Sequence, residues 1–116
     1  MIKSSELISE LFLEIPAENV LSRDFLFARF LTKRNFEETK FGFVVGKRLF
    51  KRAVDRNLIK RRIREALRLN KDLLQEHEGV AVLIIYRSKK IKTFVEIDKA
   101  MKKLLVSLNS QLESNT

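Results

Sequence analysis

Residues 40–69 read KFGFVVGKRLFKRAVDRNLIKRRIREALRL, and the fold turns on how this stretch divides. Its opening, KFGFVVG (40–46), reads as a strand, with Gly42 and Gly46 marking close backbone approach or a bulge. From about Arg52 to Leu69 no Gly or Pro intervenes, and the Ala, Leu, Ile, Lys and Arg that fill it favour helix. At about 100° per residue, Ile59, Ile63, Ala66 and Leu67 fall together as a buried stripe. Beyond the helix, VAVLIIY (80–86) is an unbroken apolar run, the signature of a strand buried on both faces.

Working outward, RDFLFARFL (23–31) has apolar residues on both faces and reads as a further strand. The polar RNFEET (34–39) between it and KFGFVVG reads as a hairpin loop. SSELISELFLEI is a short N-terminal helix closed at Pro16. KDLLQEHEG (71–79) continues or caps the central helix and ends at Gly79. Thr93 followed by Glu96 has the spacing of a capping box. Behind it Phe94, Ile97, Met101, Leu104, Leu105, Leu108 and Leu112 repeat at helical spacing, a stripe read as core. The order is α-β-β-α-β-α. It predicts an α+β fold, a small sheet packed with helices, within one domain spanning 1–116 whose last residues, 113–116, fray.

Charge adds the functional clue. The chain carries a formal +9, with a pI near 10.1, which points to a polyanionic partner. Residues 1–46 hold 6 basic and 7 acidic side chains, and residues 69–116 hold 8 and 6. Residues 47–68 hold 10 basic and only 2 acidic, so nearly all the excess sits in one segment. On the helix, Asn57, Lys60, Arg61, Arg64 and Arg68 share a face beside the apolar stripe. Lys47, Arg48, Lys51 and Arg52 extend that positive surface toward the helix N-terminus, itself a weak anion site. Like charges at four-residue spacing each cost a few tenths of a kcal/mol. A merely solvated face would mix Glu with Lys, whereas this one is rich in Arg, whose fork suits phosphate and stacks on bases. Phosphates alone do not separate DNA from RNA. Eight of the nine Phe lie in the first 50 residues, and an aromatic strand could offer one row for stacking, although core filling explains any single Phe.

Several function classes are excluded. There is no Cys, so no disulfide framework or thiolate site, and one His77 cannot build a multi-histidine metal centre or a Ser/His/Asp set. Glu37 and Glu38 fall in the loop, and no glycine-rich phosphate cradle exists. Neither catalytic nor metal residues are expected from the protein. No apolar run reaches the roughly 18 residues of a membrane span, and MIKSSELISELFLEIP makes a poor signal peptide, so a cytoplasmic chain is expected.

The segment FGFVVGKRLFKRAVDRNLIKRRIREALR resembles the protein subunit of bacterial ribonuclease P. The family pattern runs from a strand ending in a Lys-Lys or Lys-Arg pair, through an Ala-Val or similar pair, to Arg-Asn-Arg and a further basic cluster. Here Lys47-Arg48 is the pair, Ala53-Val54 the apolar pair, and Arg56-Asn57-Leu58 the triplet, with Lys60-Arg61 and Arg64-Glu65 following at family spacing. The resemblance implies a two-layer sandwich like certain ribosomal-protein domains, with a left-handed βαβ crossover against the general rule. It implies that a catalytic RNA, using magnesium ions within the ribonucleoprotein, cleaves precursor tRNA to its mature 5′ end. The protein itself would bind no cofactor. Arg56, Asn57, Lys60, Arg61 and Arg64 would contact that RNA or help bind metal, with Lys47, Arg48 and Arg52 adding phosphate contacts. Phe12, Leu26, Ala28 and Arg87 would line a cleft for the 5′ leader of the precursor tRNA. Leu58 departs from the triplet's second arginine, and residues 1–20 are acidic where the family is basic.

Other readings are a non-catalytic RNA-binding protein or paralogue on the same fold, and a DNA-binding helix. The second lacks a partner helix for a helix-turn-helix and any zipper, so no DNA is expected. Membrane-surface binding is weaker still, because the basic helix has no aromatic opposite face.

Overall fold

The computed structural model describes residues 20–32, 39–74 and 80–114. The expected N-terminal helix with Phe12 and Pro16, most of the 34–39 loop, and Gly79 lie outside these residues. Strands β1 (Val20–Arg23), β2 (Leu26–Thr32) and β3 (Lys40–Val45) precede helix α1 (Ala53–Asn70). A 3-10 turn (Lys71–Leu74), strand β4 (Val80–Tyr86) and helix α2 (Phe94–Ser114) follow.

The four strands form one mixed sheet in the order β1-β2-β4-β3. β4 pairs antiparallel with β2 and parallel with β3, so β3, α1 and β4 form the expected βαβ unit. Two expectations are corrected here. The stretch 23–31 is not one strand but the end of β1, a two-residue turn and most of β2. Asp24 turns the chain with φ of 56°, a left-handed conformation Asp tolerates better than most residues, and Arg23 pairs across to Leu26. Nor do β2 and β3 form a hairpin, because β4 lies between them. The most apolar strand takes a position with a neighbour on each edge, and β4 is buried along its length except at half-buried Ile85. That bears out burial on both faces. Gly46 marks no close approach, since a Cβ there would meet nothing within 4 Å; its carbonyl instead accepts the amides of Leu49 and Phe50 at 3.2 Å each.

Both helices cover one face. Leu26, Ala28 and Phe30 of β2 and Val80, Val82, Ile84 and Tyr86 of β4 point into this layer, by the period-2 alternation of strands. Against them pack Ile59, Ile63, Ala66 and Leu67 of α1 and Ile97, Ala100, Met101, Leu104, Leu105, Leu108 and Leu112 of α2. The two helical stripes read from sequence are the core. Thr93 caps α2, its Oγ1 accepting the Glu96 amide at 3.2 Å, while the Glu96 carboxylate lies 3.6 Å from Lys92 Nζ.

One polar group is built into this layer. Asn70, 6% exposed at the end of α1, donates from Nδ2 to the Ala66 carbonyl (2.7 Å) and to Asp98 Oδ1 on α2 (2.6 Å). Burial pushes the Asp98 carboxyl up, but Asn70 and the Lys102 ammonium at 3.1 Å outweigh it and hold the group below its usual range. Asn70→Ala is expected to cost about 1–3 kcal/mol by removing a buried donor that ties the helices together. Urea unfolding of the two proteins measures it, and an unchanged midpoint would remove Asn70 from the helix contact.

Candidate nucleic-acid interface

Helix α1 presents two unlike sides. Its core stripe repeats at 59, 63, 66, 67 and 70, and Asn57, Arg61, Arg64 and Arg68 stand exposed on the side turned away from it. Lys60 is half-buried at the flank. Among the described residues no side chain caps the helix N-terminus, where Arg52 takes an extended conformation and its carbonyl accepts the Asp55 and Arg56 amides. Lys47, Arg48, Lys51 and Arg52 surround that end and are all exposed.

What these cations touch separates them. Among the described residues, no hydrogen bond or ion pair engages the side chains of Lys47, Arg48, Lys51, Arg52, Lys60 or Arg61. Arg64 places its guanidinium 5.9 Å from the centre of the Phe43 ring, a contact that leaves its N–H groups to a ligand. Arg68 is committed to Glu65, with Nε and one terminal nitrogen at 3.0 and 2.6 Å from the two carboxylate oxygens. That pair holds the Glu65 carboxyl below its ordinary value and raises Arg68, although both are open to water and contribute little to stability. Arg56 bends back to the carbonyls of Phe50 (2.8 Å) and Lys51 (3.0 Å), so this arginine of the triplet braces the connection before the helix. Arg62, absent from the sequence-based set, donates to the Lys92 carbonyl at 2.6 Å and ties α1 to the segment before α2. Leu58 is half-buried, away from the Arg61/Arg64/Arg68 row.

The second candidate surface is the sheet face turned away from the helices. Leu26 and Ala28 cannot line it: both are 0% exposed on the helix-covered side. The strand alternation gives this side to Phe27 and Arg29, both half-buried, and to Ala81 and Leu83 of β4, which are buried there. Arg87 does belong there, exposed, with its guanidinium 5.1 Å from the Phe27 ring centre. Phe12 lies outside the described residues. Most of the other aromatics fill the core: Phe30 and Phe50 are buried, and Phe25, Phe41, Phe43 and Phe94 pack against it. No cluster of three or more His, Asp or Glu able to hold a metal occurs among the described residues, and no described helix is long and apolar enough to cross a membrane.

A mixed sheet with two helices on one face, and a crossover helix whose outer side is mainly arginine and lysine, defines a small α+β protein with a preformed cationic surface. The chain belongs to the ribonuclease P family, whose model, described as Ribonuclease P, matches residues 3–109. It is 38% identical to the ribonuclease P protein component of Porphyromonas gingivalis over 76 residues, 61% of this chain and 56% of the relative. To that of Ectopseudomonas mendocina it is 53% identical over 46 residues, 40% of this chain and 34% of the relative. The match thus spans about half the length of the first of these relatives. The fold matches the RNase P protein of Thermotoga maritima with a TM-score of 0.72 at 22% identity, covering 91% of this chain and 94% of that one. For Staphylococcus aureus RNase P protein the TM-score is 0.68 at 20% identity, covering 90% of each.

Proposed function

We propose that the chain is the protein subunit of ribonuclease P, binding a catalytic RNA through the outer side of α1 and the 5′ leader of precursor tRNA over the sheet face turned away from the helices. It supports endonucleolytic removal of the leader, and the RNA carries the chemistry. The observation behind this reading is the set of six lysines and arginines from Lys47 to Arg61 that make no hydrogen bond or ion pair among the described residues. Holding that much like charge on one surface is unfavourable unless a polyanion neutralises it. On the sheet face turned away from the helices, Phe27 under Arg87 offers an aromatic and a cation to a single strand. Magnesium, which the family resemblance brings in, finds no fitting carboxylate cluster among the described residues, so no step is assigned to a protein-bound ion.

Reconstitution tests this directly. A bacterial ribonuclease P RNA is assayed on precursor tRNA at low magnesium, alone and with the protein. Correct 5′ processing that depends on the protein is expected. Tight RNA binding without rescue would reassign the chain to a non-processing RNA-binding role.

A further inference from the structure

The segment joining β4 to α2, residues 87–92, reads RSKKIK and is the second concentration of positive charge in the chain. It is held at nearly every residue. Tyr86, 1% exposed, donates its hydroxyl hydrogen to the Lys90 carbonyl (2.5 Å), and the same oxygen accepts the Lys92 amide (3.0 Å). The Ser88 hydroxyl accepts the Lys90 amide at 3.1 Å, and the Arg87 amide extends the ladder to the Phe25 carbonyl at 2.8 Å. From α1, Arg62 takes the Lys92 carbonyl. The Lys92 ammonium lies 5.4 Å from the Phe25 ring centre and 3.6 Å from Glu96. Two of its cations escape this bracing: the Lys89 and Lys90 side chains are exposed and make no hydrogen bond or ion pair among the described residues.

The position of the loop gives the bracing a use. Because β3 and β4 run parallel with Val45 opposite Tyr86, both chains leave the sheet at the same end. Lys47 and Arg48 therefore emerge beside Arg87 to Lys90. The Tyr86 ring also packs at 5.4 Å from Phe25 and 5.9 Å from Phe50, the residue that closes the turn after β3. A phenol is protonated near neutral pH in any case, and burial raises this one further, so the hydroxyl donates to Lys90 while accepting from Lys92.

We infer that Tyr86 is a positioning residue: its hydroxyl holds the 87–92 loop in one shape, so that Lys89 and Lys90 meet the same RNA as Lys47, Arg48 and the outer side of α1. The inference rests on the RNA-binding reading above. Preorganisation matters because flexible lysines lose entropy on binding, and a loop already fixed loses less.

The test is Tyr86→Phe, which keeps the ring and its packing and deletes both hydrogen bonds. In the free protein the Lys92 amide is expected to exchange faster with solvent. Binding to a bacterial ribonuclease P RNA transcript is expected to weaken by about three- to tenfold, the range set by one lost net hydrogen bond. A merely structural tyrosine would weaken binding equally in any background, so Tyr86→Phe is repeated on Lys89→Ala/Lys90→Ala. The expected result is no further loss there, because the lysines being positioned are gone. Equal loss in both backgrounds, or no loss in either, overturns the inference. The Lys60→Ala/Arg61→Ala/Arg64→Ala variant separates the two levels. If it loses affinity while Tyr86→Phe does not, only the positioning role falls; if the unaltered protein does not bind the RNA, the functional reading falls with it.

Discussion

Replacing Lys60, Arg61 and Arg64 together by alanine is expected to lower affinity for ribonuclease P RNA by roughly a hundredfold at physiological salt. Each phosphate contact contributes about one unit to the slope of log K against log salt, so the slope should become shallower by about three units. Stability is expected to stay within about 1 kcal/mol. Losing the Arg64 contact with Phe43 costs about 0.5–1 kcal/mol, and relieving like-charge neighbours four residues apart returns a few tenths per pair. The two terms oppose and nearly cancel. Filter binding across a salt series, with urea unfolding alongside, reads both quantities. Reduced affinity with an unchanged slope would place the RNA elsewhere on the protein. A large loss of stability would make these residues part of the scaffold.

The outcome matters because the basic segment mixes two kinds of cation that the sequence does not distinguish. Arg56 and Arg61 are equally plausible phosphate ligands by type and spacing. In the fold, Arg56 is spent on the Phe50 and Lys51 carbonyls, while Arg61 has no such partner among the described residues. The difference lies in where the chain goes before the helix, and no local pattern encodes that. Arg62 and Tyr86 carry no local signal for the same reason, since each acquires its role from a segment brought near by tertiary packing.

Both helical stripes and the buried strand β4 were legible because their periodicity is local and strong. The hairpin between β1 and β2 was not, because its turn uses Asp24 in a left-handed conformation with no glycine to signal it. The strand order was hidden too, since inserting β4 between β2 and β3 is a long-range choice. Arg29 did carry a usable signal. A charged residue avoids an apolar core, so its parity assigns 27 and 29 to the face away from the helices and 26 and 28 to the helices. The family resemblance implies the opposite for Leu26 and Ala28, and the fold follows the alternation.

Ile63→Ala is the counterpart on the buried side of the same helix turn. Ile63 is 0% exposed between the sheet and α2, one residue from Arg64, yet the expected effect is reversed in kind. Removing three buried carbons and leaving a void costs about 2–5 kcal/mol. That is a large part of the roughly 5–15 kcal/mol holding a domain of this size together. RNA affinity of the folded fraction should be unchanged, because no group on the outer side of α1 is altered and the salt slope depends only on phosphates engaged. Measured below its unfolding transition, with folded protein quantified by circular dichroism, the variant should reproduce the parent's slope. If the slope fell as well, the outer cations would depend on core packing for their alignment, and the two sides of α1 would not be separable functions of one helix.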